Sequence, residues 1–80
     1  MKAIVNVGLK EGVLDPAGKA VHHALLALRF SNINSVRIGK QIVIDLDEND
    51  EKKAKEDLEK MCEELLANTV IEDYEIEIAK

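Results

Sequence analysis

The sequence has no tryptophan, one phenylalanine, one tyrosine and one cysteine among its 80 residues. With so few rings, the core must be built from Ile, Leu, Val and Ala. A lone Cys62 excludes an internal disulfide and suits a reducing cytosol. No apolar run approaches the ~18 residues of a membrane span. Met1 and Lys2 lead into a strand pattern rather than a signal peptide, so the expected location is the cytoplasm. Positive charge is short too. A net charge of −5 argues against general nucleic-acid binding.

What remains suits one small domain over residues 1–80. At this length a single core often supplies only a few kcal/mol, and self-association is a common remedy. The charge is unevenly spread. Residues 1–40 carry six Lys/Arg and two Asp/Glu, and residues 41–80 carry five and fourteen. That asymmetry hints at complementary charge between copies or partners.

The stretch from Val36 to Leu46 is the most β-prone. Val36, Ile38, Ile42, Ile44 and Leu46 recur at the period of a strand with one buried face, interrupted at Gly39-Lys40. Gly39 can take a positive φ without steric cost. A two-residue hairpin loop would swap the apolar set to the other face, whereas an odd loop, or no turn at all, keeps it together. One strand between two helices would make an all-parallel sheet, which normally needs helices on both faces. A hairpin with a bulge or odd loop at Gly39 is therefore favoured over one long bent strand.

Around this stretch, Ala3, Val5, Val7 and Leu9 alternate with Ile4, Asn6, Gly8 and Lys10, giving a first strand over about residues 2–10. Asp15 can cap a helix whose first position suits Pro16. That helix runs to about Phe30 with a stripe of Ala17, Val21, Ala24, Leu25 and Leu28. A second helix over about 50–67 is capped by Asn49 or Asp50. It shows Ala54, Leu58, Met61, Cys62, Leu65 and Leu66 on one face, and Asn68 can stop it in the left-handed conformation. Tyr74, Ile76 and Ile78 anchor a last strand, whose Glu75 and Glu77 point the other way and can guard an edge. The expected fold is an α+β two-layer sandwich. It has a small, mostly antiparallel sheet with two helices on one face, in the ferredoxin-like order β-α-β-β-α-β.

No catalytic constellation emerges. Cys62 lies inside an apolar helical stripe, where packing outweighs nucleophilic use. His22 and His23 point about 100° apart on a helix and cannot readily chelate one metal. Asp45, Asp47, Glu48 and Asp50 lack the glycine and distal glutamate of a calcium loop. The glycines form no phosphate cradle. Lys10, Arg37 and Lys40 stand apart as basic residues at strand ends, where charge is displayed for a partner or an anion. Read from chemistry alone, the chain is a binding or assembly module.

Three segments carry a resemblance across nearly the whole chain: 9–18 (LKEGVLDPAG), 36–40 (VRIGK) and 61–74 (MCEELLANTVIEDY). In this order and spacing they closely resemble PurS, the small subunit of phosphoribosylformylglycinamidine synthase. The resemblance implies a non-catalytic subunit of an ATP-dependent, glutamine-amidotransferring ligase in de novo purine biosynthesis. It would bridge a PurQ-type glutaminase, which releases ammonia, and a PurL-type synthetase, and help form or gate the ammonia path. ATP and magnesium would belong to the synthetase, with no cofactor or metal in this subunit. A homodimer or tetramer is expected. The loops carrying Lys10, Leu14, Asp15, Pro16, Gly18, Arg37, Gly39 and Lys40 would then face the partners. The alternative is a small self-associating domain that binds an anionic metabolite and regulates a partner. A stand-alone hydrolase using Cys62 and His22 is the least favoured reading.

Overall fold

The computed structural model describes residues 1–79. Strand β1 (Lys2–Leu9) is followed by helix α1 (Pro16–Ala27), strand β2 (Lys40–Asp45), helix α2 (Glu51–Met61) and strand β3 (Glu72–Ala79). The sheet has the order β2-β1-β3, and both pairings are antiparallel. The α+β class and the antiparallel sheet are as the sequence led us to expect.

Alternation on β1 builds the core. Ala3, Val5 and Val7 are buried, and Val5 is flanked by Ile42 of β2 and Ile76 of β3. These side chains on the central strand leave room for α2, whose Ala54 and Leu58 descend at a spacing of four, with Cys62 one turn further on. Leu58 is fully buried, so it fixes how α2 lies on the sheet. The other sheet face is open. Val43 is 56% exposed there, beside Asn6 and Gln41, which share a hydrogen bond of 3.1 Å.

Both helix starts follow the local chemistry. The Asp15 carboxylate accepts from the Gly18 amide with Pro16 in the first turn, and Asp50 accepts from the Lys52 and Lys53 amides. The helix ends differ from expectation. α1 stops at Ala27, and Arg29, not Asn68, is the non-glycine residue with positive φ among the described residues. α2 passes into a π-helical turn, Cys62–Leu66, in which the Ala67 amide donates to the Cys62 carbonyl at 3.1 Å. The wider turn shifts the phase of the stripe. Leu65, expected on the packed face, is 82% exposed, while Ala67 is buried. Asn68 ends the segment through its side chain, which accepts from the Val70 amide, and its carbonyl, which accepts from the amides of Ile71 and Glu72.

Two expectations are corrected. Residues 36–38 form no strand and there is no hairpin at Gly39, so the order is β-α-β-α-β. Gly39 has no positive φ; a Cβ there would come within 2.6 Å of the Val7 carbonyl oxygen, so it serves close approach to β1. Nor does α1 lie on the sheet beside α2. Within α1 only Gly18 is buried, and Val21 and Leu26 of the helix and Leu28 just beyond it are exposed. The Cα radius of gyration is 16.0 Å, against about 12 Å for a compact chain of this length. The helix therefore projects from the sheet as an arm.

Candidate functional site

The arm has two legs. Residues 9–15 lead out from β1 into α1, and residues 33–38 return along it. His22 Nε2 donates to the Ile33 carbonyl at 2.9 Å. Gly18 packs against the Val36 carbonyl, and the Ile38 amide donates to Asp15 Oδ2 at 2.8 Å. These contacts pair later positions on the return leg with earlier positions on the helix, so the two run antiparallel. That explains why residues 36–38 are lost to the sheet: their partner is α1.

Asp15 is used on both oxygens. Oδ1 accepts from the Gly18 amide at 2.9 Å while Oδ2 takes Ile38. The side chain is buried, and these amides, Ile38 first and then Gly18, hold its carboxyl below the ordinary value of 3.8. Desolvation opposes them, and the Arg37 charge adds to them. Arg37 reaches the opposite way. Its Nη1 donates to the Val13 carbonyl at 2.8 Å, and its Nη2 donates to those of Lys10 at 3.1 Å and Leu9 at 3.4 Å. The planar fork suits several carbonyls at once.

The eight residues singled out from the sequence thus divide. Asp15, Gly18 and Arg37 meet at the root of the arm and are bonded to the chain itself. Pro16 sits exposed at the helix start, and Leu14 is 64% exposed in the loop before it. Lys10 makes a loose surface pair with Asp73 at 4.0 Å, of little energetic weight. Gly39 and Lys40 follow directly on the return leg into β2, lining a shallow cleft of about 510 Å³ with Asn6, Gly8 and Tyr74. With Arg37 turned onto backbone carbonyls, the basic cluster that an anion-binding domain would need is reduced to Lys10 and Lys40.

No group of three or more metal-ligating side chains comes together among the described residues. Cys62 is buried in the core, and desolvation pushes its thiol up, helped by the charges of Glu63 and Glu59, which disfavours a thiolate. His22 is spent on Ile33. Sequence reasoning missed the exposed apolar surface on and around α1, where Leu28 is 67% exposed and Phe30 also faces outward. The signal was present as a stripe of helical period, and only the direction of the arm decides what it meets.

Comparison with known proteins identifies this architecture. The PurS family model, described as phosphoribosylformylglycinamidine (FGAM) synthase, matches residues 2–80. The chain belongs to the PurS family. The PurS subunit of Methanocaldococcus jannaschii is 47% identical over 99% of this chain and 95% of its own length. That of Bacillus subtilis is also 47% identical, over 96% of this chain and 90% of its own length. Among solved structures, M. jannaschii PurS superposes with a TM-score of 0.89 at 49% identity, covering 99% of this chain and 95% of that one. A chain of the PurLQS structure from Thermotoga maritima gives 0.87 at 33% identity, covering 95% and 93%. As a PurS family member the chain is a subunit of a ligase.

Proposed function

We propose that the chain is the bridging subunit of a phosphoribosylformylglycinamidine synthase. It joins a PurQ-type glutaminase to a PurL-type synthetase in the cytoplasm and helps ammonia pass between them. The observation that carries this reading is the near full-length likeness to a chain of the T. maritima PurLQS structure, whose name records the association of the three subunits. ATP and magnesium are assigned to the synthetase, as the resemblance to the PurS family implies.

Self-association belongs to the same proposal. An arm with Val21, Leu26, Leu28 and Phe30 in the open exposes more apolar surface than an 80-residue chain keeps in water without a partner. A second copy is the occupant we assign. Each copy carries the same stripe, and a two-fold axis sets identical patches against each other. The partner-facing loops then present Leu14, Pro16, Lys10 and Lys40, shaped from behind by Asp15, Gly18, Arg37 and Gly39.

Gel filtration tests the assembly. Mixed with PurQ-type and PurL-type subunits, the chain is expected to elute with both, and alone as a species of at least two copies. Elution as a monomer, unmoved by either subunit, would contradict it.

A further inference from the structure

The root of the arm holds a reciprocal arrangement. Asp15, on the outgoing leg, accepts the Ile38 amide of the returning leg. Arg37, on the returning leg, donates to the Val13, Lys10 and Leu9 carbonyls of the outgoing leg. Each leg therefore supplies one charged side chain and receives the other's, and the two sets of bonds lie where the arm leaves the sheet. Beyond the root, α1 buries no side chain against β1, β2 or β3; its one buried residue, Gly18, lies against the return leg.

We propose that Asp15 and Arg37 form a clasp that sets the direction in which the α1 arm points, so that both are positioning residues that need touch no partner. Within one copy packing does little of this job, because no α1 side chain is buried against the sheet. Covalent connection alone leaves two loops, residues 10–15 and 28–39, free to swivel together. Charge-assisted hydrogen bonds are directional and stronger than neutral ones, and four of them across the root remove that freedom. The expected consequence is specific: breaking the clasp loosens the arm's orientation and leaves the sheet and α2 intact. The inference concerns the free chain and stands whether or not the bridging role does.

The test is a distance measurement between two spin labels in the full chain, at Ala27→Cys on the arm and Glu77→Cys on the sheet. Cys62 is fully buried and stays unlabelled. Labelled chains are diluted into unlabelled ones so that only distances within one chain are read. The native chain is expected to give one narrow distribution, and Arg37→Ala and Asp15→Ala to broaden it at least twofold while the amide spectra of β1 and β3 are unchanged. Arg37→Lys is expected to broaden it too, since one ammonium cannot serve three carbonyls in a fixed fork. A width unchanged in the alanine variants would overturn the proposal. So would loss of the sheet signals, because the pair would then be holding the core and not the arm.

Discussion

A methyl group placed on Gly18 would strike the carbonyl oxygen of Val36 and come within 2.8 Å of the Asp15 carboxylate. Neither obstacle moves easily: one is backbone, and the other is fixed by two amides. Alanine's better helix propensity returns about 1 kcal/mol, and overpacking costs about 1–3 kcal/mol. Gly18→Ala is therefore expected to lower stability by up to about 2 kcal/mol in urea unfolding. An equal or higher midpoint would show that helix and return leg can part at no cost.

Leu58 is the largest of the fully buried side chains and joins α2 to the sheet. Truncation to alanine leaves a cavity under β1, costing about 2–5 kcal/mol. For a small domain this is a large share of the total. The expected result is a marked drop in melting temperature, and a change of less than about 0.5 kcal/mol would be a surface-like response that the packing described above does not allow.

The clasp should be sensitive to acid. Asp15 has a carboxyl held below its ordinary value of 3.8, so the folded state prefers the ionised form. Its stabilising contribution is complete above pH 3.8 and is lost as pH falls from there through the depressed folded value. Amide exchange at Gly18 and Ile38 is expected to accelerate within this window before β1 opens. In Asp15→Asn that acid step should be absent.

Tyr74 titrates at the opposite extreme. A hydrogen bond to the Glu63 carboxylate, then burial and the negative charge of Glu63, push its hydroxyl up to about 12. The folded state holds this proton more tightly than the unfolded one. The contribution is therefore complete below pH 10 and lost as pH rises from 10.0 to about 12. Tyrosinate absorbance should rise in that upper range, and Glu63→Gln should move the midpoint down towards 10. A native midpoint near 10 would mean that Tyr74 does not tie β3 to the π-helical turn.

Lys40 probes the partner surface. It is exposed at the start of β2 and borders the cleft beside Gly39. Lys40→Ala should leave the melting temperature unchanged and weaken co-elution with the partner subunits. Unchanged co-elution would remove Lys40 from the docking surface.

Much of this was legible because the deciding interactions are local. The Asp15-Pro16 start of α1 and the Asp50 cap each depend on residues within one turn, and the alternation along β1 and β3 names their buried faces directly. Residues 36–38 misled because their alternation matches a strand. What settles their fate is a carboxylate twenty-three positions earlier that takes the Ile38 amide, and no local pattern records that. The same limit hid the clasp. Arg37 reads as displayed charge, and only the return of its leg to residues 9–13 turns its fork inward. Leu65 failed for another reason: a π-helical turn changes the phase of a stripe that otherwise extrapolates correctly from Leu58.

The most direct measurement is synthesis by the reconstituted enzyme with glutamine or with ammonia as the nitrogen source. Adding the chain to PurQ-type and PurL-type subunits is expected to raise the glutamine-dependent rate strongly and the ammonia-dependent rate little, while the chain alone turns over neither glutamine nor ATP. Equal glutamine-dependent rates with and without the chain, or turnover by the chain alone, would contradict a subunit that assembles the enzyme and carries no reactive centre.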